Sequence, residues 1–156
     1  MELSRGFRIE RLALQLAVLV ASIVPLAAGA AGVIDGPRML HGTGVGTPDL
    51  ESHFRYLSGL LLGIGLAFIA TVPTIERQSR LFATLSGIVV VGGLARLCSA
   101  IFHGAPGTPH QLALIMELGV VPALLLWQRR IARMAGKGRR RHRDPAIAAA
   151  PLIARS

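Results

Sequence analysis

The stretch DLESHFRYLSGLLLGIGLA, Asp49 to Ala67, decides how the chain is read. Charged and aromatic residues crowd its first third, and after Arg55 it carries no charge. A helix entering a membrane with its polar mouth still attached has this form. Pro73 closes it, which places the helix at about residues 53–73. Arg55, Gly59, Gly63 and Ala67 recur every four residues and share one face. The GxxxG spacing of Gly59 and Gly63 lets another backbone approach that face.

The rest of the chain agrees with this reading. Its 156 residues suffice for one domain. Hydrophobic residues make up 52% and mean hydropathy is +0.56, too apolar for an ordinary soluble domain. Charged residues are 16% and clustered, and long charge-free runs between them indicate a polytopic membrane protein. Of the net charge of +9, most comes from eight basic residues between Arg129 and Arg143. One cysteine, Cys98, lies inside an apolar run; it allows no internal disulfide and is expected as a small core residue.

Four spans follow, at about 12–34, 53–73, 80–102 and 110–128, with a basic segment (1–11) before them and a basic tail (129–156) expected to lack structure. Leu12 to Ile34 holds no charge, and Pro25 should kink it. A basic start and the small-residue run Ala27–Gly32 also fit a cleaved secretory signal, but the apolar run exceeds the roughly 7–15 residues of a signal core. Residues 35–52, rich in glycine, proline and threonine, read as a loop. Gly92, Arg96 and Ala100 share a face of the third span, Glu117 lies inside the fourth, and Trp127 stands at an interfacial position.

Positive residues set the orientation. Three arginines precede the first span, Arg77 and Arg80 lie between the second and third, and the tail is basic. The other two connections hold only Arg38 besides histidines. The expectation is an all-α, up-down four-helix membrane bundle with N and C termini cytoplasmic.

This orientation puts Arg96 and Glu117 at one depth, each about six residues from the outer end of its helix, or about 9–10 Å below the surface. Opposite charges at equal depth on neighbouring antiparallel helices should pair, because an unpaired one costs about 2.5–3.5 kcal/mol on insertion scales. Arg55 should hang above the pair, with Glu51, His53, Asp49 and Asp35 lining the mouth. With two arginines and one glutamate, this pocket would be net positive and suit an anionic headgroup or small anion. The plainer alternative makes Arg96 and Glu117 a structural clasp, with Arg55 snorkelling to the surface. Gly59, Gly63, Ala67 and Gly92 are the expected helix-packing positions.

Other chemistry is poorly supplied. The five histidines have no metal-ligand spacing, so no metal and no cofactor is expected. No nucleophile–base arrangement, HExxH, P-loop or GxGxxG motif occurs. The basic tail follows a membrane helix directly, so orientation and anionic lipid explain it and no nucleic-acid partner is expected.

The segments ESHFRYLSGLLLGIGLAF (51–68), IERQSRLF (75–82), GGLARL (92–97) and ELGVVPALLLWQRR (117–130) resemble the bacterial DUF4345 family, over about residues 33–133. The resemblance implies a small four-helix protein of the bacterial inner membrane, DoxX-like at fold level. It implies polar positions at His53, Arg55, Arg96 and Glu117, and neither reaction nor ligand. The expected role is a non-enzymatic structural or interaction protein, with membrane lipid, an anionic small molecule, a second copy or another membrane protein as partners. The rivals are a small transporter or accessory subunit, and a membrane enzyme acting on a lipid or quinone.

Overall fold

The computed structural model describes residues 2–39, 47–104 and 106–148. Helix α1 (Glu2–Asp35) runs unbroken through Pro25 and ends in a 3-10 turn, Gly36–Met39. Helix α2 is Pro48–Thr71, and a 3-10 turn at Val72–Thr74 closes it where Pro73 removes a donor. Helix α3 is Ser79–His103, stopped by Gly104 at φ +94°, a value that favours glycine. The fourth helical rod has three parts: α4 (Thr108–Ile115), a π turn (Met116–Val120) and α5 (Val121–Ala148). Among the described residues there is no strand, and four helices are long and apolar enough to cross a membrane.

Several boundaries differ from those expected. The basic N-terminal segment is already helical from Glu2, continuous with the first span. Helix α2 begins at Pro48 because Thr47 caps it, its hydroxyl accepting from the Leu50 N–H at 3.3 Å. Pro48 in the first turn, with Asp49 and Glu51 beside it, completes a favourable helix start. These residues were expected in the loop, of which 40–46, with His41, lie outside the described residues. The backbone also stays helical through the basic tail to Ala148, where arginine, alanine and lysine favour helix; residues 149–156 lie outside the described ones.

Helix α1 packs along α2, α2 touches α3, and the fourth rod closes the ring against α3 and α1. The core gathers Leu14 and Val18 of α1, Phe68 of α2, Phe82 and Leu85 of α3, and Leu124 and Ile131 of α5. Phe68 and Phe82 meet edge to face at 5.2 Å. Trp127 packs against this cluster. All of these lie toward one end of the bundle, the end that holds the α2–α3 turn. Toward the other end α4 buries no side chain, and Leu94, Leu97, Ile101 and Phe102 of α3 are exposed. Cys98, expected in the core, is exposed on this part of α3.

The α2–α3 turn is tied down from two sides. Its carbonyls have no intrahelical partner once Pro73 has ended the helix. Arg11 Nη2 donates to Pro73 O at 2.8 Å, and Gln15 Nε2 to Val72 O at 2.7 Å. From the fourth rod, buried Gln128 donates to Ile75 O at 2.7 Å and to the Ser79 hydroxyl at 2.9 Å. Arg11 also lies 3.0 Å from the Glu76 carboxylate, and Arg130 pairs with Glu10.

Candidate functional site

Helix α3 meets the fourth rod at Gly93. A Cβ there would stand 2.8 Å from the Glu117 Cβ and from Leu118 Cδ2, so only glycine allows this approach. Glu117 lies in the π turn, a feature often found where side chains are re-aimed at functional sites. Arg96, one helical turn beyond Gly93, meets Glu117 side-on: Nε donates to Oε2 and Nη2 to Oε1, each at 3.1 Å. The planar guanidinium fork matches a carboxylate in this two-point way. The third nitrogen, Nη1, donates to His110 Nδ1 at 2.8 Å. The pair is not sealed, since the side chains are 34% (Arg96) and 18% (Glu117) exposed. Beside it lies a shallow cavity of about 200 Å³ lined by Arg96, Ser99, Ala100, Gly104, Pro106 and His110.

Arg55 belongs to a different cluster. Its Nε and Nη2 donate to Glu51 Oε1 at 2.9 and 2.7 Å. Its Nη1 donates to Ile34 O at 2.9 Å and also to Val33 O. These carbonyls are the unsatisfied C-terminal groups of α1, so Arg55 acts as their cap. Gly36, at φ +61°, turns the chain under this guanidinium and leaves room for it. A cavity of about 260 Å³ adjoins, lined by Ile34, Asp35, Arg38, Met39 and Arg55.

The expected single polar centre is therefore divided. Arg96 and Glu117 come together as expected, while Arg55 and Glu51 serve the α1–α2 junction. His53 is exposed and joins neither cluster. Each arginine faces a carboxylate, so the net positive charge expected of the pocket is absent. His110 is the site residue that sequence reasoning missed. It stands seven residues before Glu117 on the same rod, a spacing that puts two side chains on one face.

The packing positions also shift. Among the described residues, no neighbouring atom lies within 4 Å of the Cβ positions of Gly59, Gly63 and Gly92. Ala67 does pack against the core. The close approach of α1 to α2 is made by Gly29 against the Leu62 backbone, Gly32 against Ser58 and Phe54, and Gly65 against Leu26. Among the described residues no group of three or more His, Cys, Asp and Glu could hold a metal ion.

Residues 13–128 match one family model, described as a domain of unknown function. No curated protein and no solved structure matches the chain.

Proposed function

The chain belongs to the DUF4345 family, and on that premise we propose that it is a four-span integral membrane protein, non-enzymatic, with a polar pocket built on Arg96. Four long apolar helices support the membrane reading, and the distribution of arginines supports termini on the cytoplasmic side, in a bacterial inner membrane. The pocket then opens toward the outer face. It receives the polar group of a lipid or a small molecule, while the Arg96–Glu117 clasp holds α3 to the fourth rod.

One observation carries this reading: a two-point ion pair, joined by a histidine, stands at the wall of a cavity and not inside a sealed core. Ionisable residues within membrane spans are retained chiefly for pathways, ligands or partners. Native mass spectrometry of gently extracted protein tests it. Wild-type protein should retain lipid or a small molecule that the Arg96→Leu/Glu117→Leu double variant loses. Equal retention by both, with both folded, would remove the pocket from the account.

A further inference from the structure

The lining of the Arg96 cavity is rich in donors and short of acceptors. A guanidinium has five N–H groups and no acceptor. Three of those in Arg96 are engaged with Glu117 and His110, which leaves two. Glu117 is not among the lining residues, and each of its oxygens already accepts from Arg96. A guanidinium can only donate, so His110 Nδ1 accepts and the ring proton sits on Nε2. The Ser99 hydroxyl, on an exposed residue of the lining, has no hydrogen-bond partner among the described residues. Counted among the described residues, Arg96, His110 and Ser99 thus offer four free donors.

Their charges cancel. The Arg96 cation is matched by Glu117, and His110 in this tautomer is neutral. An anion entering here would give up its hydration for a wall without excess positive charge. A carbonyl oxygen has far less hydration to lose and needs only donors. The volume, about 200 Å³, is below the roughly 300–1,000 Å³ of sites that enclose a whole small molecule. It fits one polar group with its neighbouring carbons. Ile101 and Phe102, directly after Ala100 of the lining, are 70% and 77% exposed and offer apolar surface for an attached chain.

The geometry points to an uncharged carbonyl oxygen, from a lipid ester or a quinone, as the group this pocket takes. The Nε2–H of His110, the Ser99 hydroxyl and the remaining N–H groups of Arg96 are its donors. This rests on the reading of the Arg96 cavity as a binding pocket.

Calorimetric titration of the full chain in a non-ionic detergent tests it with three probes: dioleoylglycerol, decylubiquinone and oleate. One or both carbonyl probes should bind at least about tenfold more tightly than oleate, and which of them binds tells ester from quinone. Ser99→Ala removes an exposed hydroxyl that has no partner among the described residues, and should weaken the carbonyl probe about fivefold. His110→Phe should weaken it further. Oleate binding as tightly as either carbonyl probe, or carbonyl binding indifferent to both substitutions, overturns the inference. Should oleate alone bind, and be lost in Arg96→Leu/Glu117→Leu, the pocket stands and the carbonyl assignment falls. Should no probe bind and no lipid be retained, both fall.

Discussion

Gly93 and Glu117 stand so close that a Cβ on the first would come within 2.8 Å of the Cβ on the second. Gly92, its neighbour in the chain, faces open space. Gly93→Ala should therefore lower the unfolding free energy in detergent by about 1–3 kcal/mol, the usual effect of overpacking. Gly92→Ala should raise it by about 0.5–1 kcal/mol, because alanine is the better helix former. Chemical denaturation of the two variants side by side gives the comparison; the reverse order would mean that α3 is rotated about its axis.

Arg96 and Glu117 satisfy one another, so removing one charge is worse than removing both. Glu117→Gln should lower stability by about 1–3 kcal/mol, since the guanidinium keeps its charge and loses its acceptor pair. Arg96→Leu combined with Glu117→Leu should recover most of that loss. A thermal melt followed by circular dichroism measures both. If neither variant shifts the melt, the clasp has no structural role.

At the α1–α2 junction the two partners of one ion pair should differ in importance. The Arg55 and Glu51 side chains are 40% and 36% exposed, so the ion pair itself contributes less than about 1 kcal/mol. Arg55 also caps the end of α1, and losing those bonds should cost about 1–2 kcal/mol more. Arg55→Leu should then melt well below Glu51→Gln, with retained lipid unchanged in both. Equal melting points would show that the capping bonds contribute nothing.

Gln128 is fully buried, and its amide nitrogen reaches both Ile75 O and Ser79. Among the described residues its Oε1 has no partner, so the amide acts through its donor half. Gln128→Leu keeps the volume, removes both bonds and should cost about 1–3 kcal/mol. Unfolding in denaturant measures it, and an unchanged midpoint would refute the role given to this side chain.

The four long apolar helices and the Arg96–Glu117 contact were legible because both follow from one-dimensional quantities, apolar run length and position along a helix. What was illegible depends on rotation and on local competition for partners. Residues three and four apart are equally neighbours on a helix, so Arg96 has Gly92 and Gly93 as rival contact points. Four-residue spacing chose Gly92; the structure uses Gly93. The same arithmetic put Gly59 and Gly63 beneath Arg55, where the approach to α1 runs instead through Ser58, Leu62 and Gly65. Arg55 itself had a legible partner in Glu51, four residues before it, a spacing that forms ion pairs on helices. Reading it as part of a distant centre passed over that nearer solution. Gln15 and Gln128 carried no expectation, because they reach the carbonyls of Val72 and Ile75, and backbone targets carry no sequence signature.

The tethering of the turn between α2 and α3 bears on how the chain is made. Arg11 and Gln15 are synthesised before that turn and can meet Val72 and Pro73 as soon as the first helical hairpin forms. Gln128 emerges some fifty residues after Ile75, so the Ile75 carbonyl and the Ser79 hydroxyl await the fourth rod. A nascent chain halted before that rod carries a half-tied hairpin, and the knot closes only once Gln128 has been made.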